Sequence, residues 1–243
     1  MKYFLCALTF LTRIPVGTNN IYEQDDFQKS IYFFPIIGLI IGGILGGSYY
    51  LLAKIFPQPV SAALLLLIYV FITGGLHLDG LTDTVDGIYG GRDREDRLRI
   101  MRDTHPGAFG VIAAVLVLLL KYSLYTQLDL KLLFYLFAAP VLGRQAMVWL
   151  QIIFPYARKE GLGKLFTSYA NLPLFAVTTG ITLVILISLL KVAGLYLFLL
   201  TGIFSLLLAW YFSRMLGGLT GDTYGASCEL TEIFALLIAL LLV

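Results

Sequence analysis

The chain has 243 residues, of which 59% are hydrophobic and 13% charged, with a mean hydropathy of +0.87. A soluble domain carries about twice that share of charge, so a water-soluble globular protein is excluded. An all-α, polytopic helical membrane protein, one domain over 1–243, is expected instead. The N-terminal MKYFLCALTFLTRIP is broken by Arg13 and lacks a small-residue cleavage site. It reads as an amphipathic helix at the membrane interface rather than a signal peptide. Apolar spans follow at about 33–55, 60–77, 107–126, 132–154, 174–190 and 193–212. The first carries Gly42, Gly46 and Gly47 for close helix contact. A last run at 230–243 is short for a span, so six or seven crossings are expected. Cys6 and Cys228 have no CxxC spacing and read as buried thiols. Neither an internal repeat nor a nucleic-acid-binding tract is visible.

Charge gives the sidedness. The N-terminal segment and the loops at 78–106, 155–173 and 213–229 share one face, which holds twelve of the seventeen Lys and Arg residues. Lys54, Lys131, Lys191 and Lys121 are assigned to the other face, and Arg144 lies within a span. The rich face is expected to be cytoplasmic. Every notable polar loop is on it, which suggests chemistry on a cytosolic substrate.

The stretch GGLHLDGLTDTVDG, residues 74–87, closes the second span. If that helix continues past Leu76, Asp79, Asp83 and Asp86 lie within about 60° of one another on one stripe. Carboxylates so close repel and raise each other's pKa. A hard divalent cation, Mg²⁺ or Mn²⁺, answers that repulsion and is commonly shared with substrate phosphates. The spacing therefore points to phosphoryl or pyrophosphate chemistry at the membrane surface. The competing reading is an interfacial polar boundary with Asp-Gly turns, and Gly80 and Gly87 could serve only to loosen or cap the helix.

Further candidates surround this stripe. His77 would face about 160° from Asp79 and is a poor co-ligand there. In GGRDREDRLRIMRD the pairs Asp93–Arg97 and Glu95–Arg99 suggest a solvated helix, and Arg92 and Arg102 are the arginines freest to grip phosphate. Asp103 is either a further acidic ligand or an N-cap. Asp222, between glycines, sits in a turn that could approach phosphate or merely join helices. Arg144 is costly inside a span and needs a partner or a ligand.

Together these residues resemble the cobalamin 5'-phosphate synthase family, also called adenosylcobinamide-GDP ribazoletransferase. Besides HLDGLTDTVDG, the matching blocks are FLTRIPV (10–16), YFFPIIGLIIG (32–42), MRDTHPGAFGV (101–111), PYARKEGLG (155–163) and TGDTYGA (220–226). The pattern departs at His105-Pro106, where a basic then an aliphatic residue is expected. The resemblance implies a multi-pass enzyme of the bacterial or archaeal cytoplasmic membrane, with its active site facing the cytoplasm. Its substrates would be adenosylcobinamide-GDP and α-ribazole or its 5'-phosphate, its products adenosylcobalamin or its 5'-phosphate and GMP, and its cofactor Mg²⁺. On that reading Asp79, Asp83, Asp86 and Asp222 hold metal. Asp86 or Asp83 takes the proton of the ribose 3'-hydroxyl, with Asp86 the first choice. His77, Arg13, Arg92, Arg102, Asp103 and Arg144 are candidates for contacts to substrate and phosphate. A homo-oligomer, or a complex with other cobalamin-assembly enzymes, is left open.

Three rivals fit less well. A CDP-alcohol phosphotransferase should show DGxxAR followed by GxxxDxxxD, and a prenyltransferase two separated Asp-rich motifs; neither pattern is present. A secondary transporter should show inverted repeats and ionisable residues at midspan, where Arg144 stands alone.

Overall fold

The computed structural model describes residues 1–16, 22–169 and 171–243. Among the described residues the regular structure is helical throughout, apart from one isolated bridge between Tyr156 and Leu219. Helix α1 (Lys2–Leu11) is too short to cross a bilayer and buries the face made by Cys6, Ala7, Leu8 and Leu11. Lys2 anchors it to Asp26 of α2 (Gln24–Ser30) at 2.7 Å. Helix α3 (Phe34–Leu52) starts with Pro35 in its first turn, where the missing N–H costs nothing.

Helix α4 (Gln58–Thr73) stops at Gly74 and Gly75, whose φ values of 62° and 68° are left-handed. Side chains with a Cβ resist that conformation. The chain then turns by 88° into α5 (Leu76–Gly90). The second span therefore does not continue past Leu76 as expected. The aspartates ride on a separate helix that begins where the apolar one ends. After α5 come α6 (Arg94–Ile100), α7 (Ala108–Tyr125), α8 (Leu133–Ile153), α9 (Leu162–Thr167), α10 (Leu172–Leu190), α11 (Val192–Leu216) and α12 (Gly221–Leu242). The last helix is longer than the 230–243 run suggested. Thr220 and Thr223 form a capping box that starts it at Gly221, giving 22 residues, enough for a span.

Among the described residues, six helices are long and apolar enough to cross, with the α4–α5 pair a seventh candidate. Contacts between the ends, among the same residues, favour seven. Gln28, before α3, donates to Ser168, after α9, at 2.8 Å. Arg94, after α5, donates to Leu216 at the end of α11 and to Ala157 after α8. The start of α3 and the end of α5 thus lie on one face, so the chain crosses twice between them, and α4 is the return crossing.

Helix α8 is the hub, buried from Ala138 to Gln151 and packed by α3, α10 and α12. Gly38 and Gly42 bring α3 onto the backbone of Pro140 and Phe137, and Gly46 meets the Phe137 ring. Gly47, expected to share that contact, faces open space. Helices α7, α10 and α11 turn exposed apolar side chains such as Leu116, Val184 and Leu207 outward, as lipid-facing helices do.

Inside the bundle lies an ionic network. Lys121 of α7 donates to Glu229 at 2.6 Å and Glu232 at 2.8 Å, both on α12. Arg144 of α8 pairs with Glu232, Tyr69 of α4 donates to Glu229 at 2.7 Å, and the Lys121 ammonium sits over the Tyr69 ring. Two cations face two anions, so the cluster is neutral as a whole. Lys121 is fully buried and does not belong to the far face. Arg144 has a carboxylate partner rather than a substrate one.

Candidate active site

At the polar end of the bundle, α5 crosses the N-terminus of α12. The crossing is close because Gly80 and Gly225 carry no side chain. A Cβ on Gly80 would lie 2.8 Å from the Asp222 carbonyl oxygen, and one on Gly225 would lie 3.2 Å from the His77 backbone. Asp79 and Asp222 thereby line one cavity of about 270 Å³ together with His77, Gln151, Tyr156 and Arg158. Asp79 also faces a second depression, shared with Asp83, Arg102 and Asp103. Asp222 is the first acidic residue of α12 rather than part of an interhelical turn, and Arg158 holds it at 2.9 Å.

The carboxylates crowd one another. Asp83 has its carboxyl pushed up to about 7, first by burial and then by the neighbouring Asp222 and Asp79, with Arg158 opposing. Asp79, Asp83 and Asp222 are hard oxygen donors with Arg158 as the cation beside them, which fits a divalent cation. Among the described residues, no three such side chains form a ready-made cage. Mg²⁺ asks for less, since it is usually held by one or two carboxylates with water and substrate phosphate completing the shell.

Asp86 stands apart from this group, although the helical stripe put it there. Its Oδ2 accepts the Gly107 N–H at 2.7 Å and its Oδ1 the Gly110 N–H at 2.8 Å. It is buried against the first turn of α7, where a carboxylate satisfies orphan amides and meets the positive helix end. In this structure each oxygen takes one backbone amide, so the carboxylate caps the first turn of α7. Gly107 and Gly110 admit it, since a Cβ on either would collide with its carboxylate. Asp103, the expected cap, instead accepts the His105 N–H at 3.0 Å and is exposed.

The remaining candidates divide. His77 is buried in the cavity wall with neither ring nitrogen bonded. Arg102 is exposed at the rim, between the Asp83 depression and a basic hollow formed with Arg94, Arg99, Arg158 and Lys159. Arg92 is exposed, and its backbone N–H donates to Asp96. Arg13 packs across Gly74 at the α4–α5 break, away from the cavity. On α6 the expected i,i+4 pairs do not form: Asp93 caps the helix, Arg99 pairs with Asp96, and Arg97 donates to Met215. Residues not singled out from the sequence are Gln151, Tyr156, Arg158 and Tyr224 in the cavity, and Glu229 and Glu232 in the network. Tyr156, Arg158 and Tyr224 lie inside the blocks PYARKEGLG and TGDTYGA, which were the available signal.

Comparison with known proteins places the chain in a family. The profile of the cobalamin-5-phosphate synthase family matches residues 3–240. An adenosylcobinamide-GDP ribazoletransferase of Clostridium acetobutylicum is 40% identical over 97% of this chain and 94% of its own length. One of Desulfitobacterium hafniense is 42% identical over 98% and 96%, and one of Klebsiella pneumoniae 38% identical over 98% of each chain. No solved structure matches. With a family profile and full-length relatives in agreement, the chain belongs to the cobalamin-5-phosphate synthase family and is, with it, a transferase of cobalamin assembly.

Proposed function

We propose that the chain joins adenosylcobinamide-GDP to α-ribazole, or to its 5'-phosphate, with release of GMP, at the cytoplasmic face of the membrane. The observation that carries this reading is the meeting of Asp79, Asp83, Asp222 and Arg158 where α5 crosses α12. Asp79 and Asp222 would hold Mg²⁺, which supplies charge neutralisation at a pyrophosphate. Arg158, already against Asp222, is placed to bind a phosphate oxygen as well. Asp83 replaces Asp86 as the proton acceptor. Its carboxyl group lies beside the metal-holding pair, is not engaged by backbone amides, and titrates near neutrality. The ribose 3'-oxygen attacks the phosphorus bonded to cobinamide, its proton passes to Asp83, and the bond from that phosphorus to the bridging oxygen breaks, so that GMP leaves with the bridging oxygen. The remaining arginines on α6 and after α8 make a basic rim for the polyanionic donor.

The test is turnover by purified protein in detergent or liposomes, given adenosylcobinamide-GDP, α-ribazole and Mg²⁺, with GMP and corrinoid products followed by chromatography. Stoichiometric GMP and a nucleotide-containing corrinoid, both lost on chelation, are expected. A folded protein that releases no GMP with either acceptor would overturn the reading.

A further inference from the structure

The 270 Å³ cavity carries a set of polar atoms that the protein itself leaves unanswered. Both ring nitrogens of His77, the Oε1 of Gln151 and the hydroxyl of Tyr224 are buried and have no hydrogen-bond partner. The three side chains come from α5, α8 and α12 and are each no more than 3% exposed. A buried polar atom without a partner costs about 1–3 kcal/mol, and four of them around one hollow is an expensive arrangement unless something fills it. The walls between them are flat and apolar, with Leu76, Met147 and Phe166 and the stacked rings of Tyr156 and Tyr224. Asp79, Asp222 and Arg158 stand along the same cavity.

We infer that this cavity seats the guanine base of the nucleotide half of the donor, with its phosphates at Asp79, Asp222 and Arg158; this rests on the reading given above. The cavity is smaller than the roughly 300–1,000 Å³ of pockets that enclose drug-sized ligands, so it admits a base and excludes a corrin ring. Guanine presents N–H donors and carbonyl and ring-nitrogen acceptors around a planar edge, which can answer an amide oxygen, a hydroxyl and an imidazole at once. The base of α-ribazole, a benzimidazole, offers one ring nitrogen and an otherwise apolar edge, and would leave most of these atoms unpaired. Sites built to hydrogen-bond a substrate discriminate strongly against analogues that lack the matching group.

The experiment is equilibrium binding of GMP and of IMP to the wild-type protein with Mg²⁺, beside Tyr224→Phe and Gln151→Met, together with the KM of each substrate. Wild type should prefer GMP to IMP, since IMP lacks the exocyclic amine. Each variant should weaken GMP binding and raise the KM for adenosylcobinamide-GDP by about tenfold, with kcat and the KM for α-ribazole close to wild type. A raised KM for α-ribazole with unchanged GMP affinity would assign the cavity to the acceptor and overturn the inference. Equal GMP and IMP affinities in wild type, or GMP affinity unmoved in a folded variant, would leave the cavity to water and overturn it too. Failure of the transferase reading looks different: GMP would bind in a Tyr224-dependent way while no donor is turned over.

Discussion

Asp83 and Asp86 are three residues apart on one helix, yet their environments differ, and opposite duties are expected of them. Asp86 accepts two backbone amides at the start of α7, so its loss is a folding defect. Asp86→Ala should cost on the order of 3 kcal/mol of stability for two charge-assisted hydrogen bonds, read as a lower thermal unfolding midpoint in detergent. Asp83 sits among like charges. Asp83→Asn should abolish GMP release while leaving the unfolding midpoint unchanged or higher. A destabilised Asp83→Asn with residual turnover would reverse the two roles. The same crowding has a pH signature. The folded carboxyl of Asp83 titrates near 7, against about 3.9 when unfolded, so the folded state holds this proton more tightly. Its contribution to stability is complete below about pH 4 and is lost as pH rises through about 7. Metal-free protein should therefore lose stability across that window, and Asp83→Asn should flatten the trend. Unfolding midpoints measured from pH 4 to 8 in chelator give the comparison.

Helices in this fold are tied together by features of unequal visibility in the sequence. The apolar runs, the aspartate stripe and the glycines of α3 were legible because each is periodic within one segment. The break at Gly74-Gly75 was not, since adjacent glycines are compatible with a continuous membrane helix until neighbours fix the angle. Asp86 shows a related limit. Helical spacing places a side chain on a stripe but does not say which neighbouring backbone will claim it, and Gly107 and Gly110 arrive from another helix. Lys121, Arg144, Glu229 and Glu232 were separated by long stretches of chain, so their convergence is a product of packing α7, α8 and α12 together. That convergence makes a prediction about pairs of helices. Lys121→Met should cost about 3–5 kcal/mol, because it leaves a carboxylate buried in excess. Lys121→Met with Glu229→Gln restores neutrality and should recover more than half of that loss. Unfolding of the single and double variants in detergent measures it; equal losses in both would mean that packing at Lys121, not charge balance, sets the cost.

At the level of the whole molecule, the polar chemistry occupies one end of an apolar bundle, and the parity of crossings decides where the C-terminus goes. The contacts of Gln28 with Ser168 and of Arg94 with Leu216 and Ala157 force α3 and α4 to form a pair of crossings. Five more follow in α7, α8, α10, α11 and α12, giving seven among the described residues. An odd number places Val243 on the face opposite the active site; six crossings would place it on the same face. The native thiols Cys6 and Cys228 are both buried, so thiol labelling can report on introduced sites. In intact cells, a membrane-impermeant maleimide should label Val243→Cys directly and Gln24→Cys, at the exposed start of α2, only after permeabilisation. Labelling of both from the same side would make the number of crossings even, removing α4 as a crossing and, with it, the geometry that brings α5 to α12. Labelling of Gln24→Cys alone from outside would keep the seven crossings but invert the molecule, against the concentration of arginine and lysine on the active-site face.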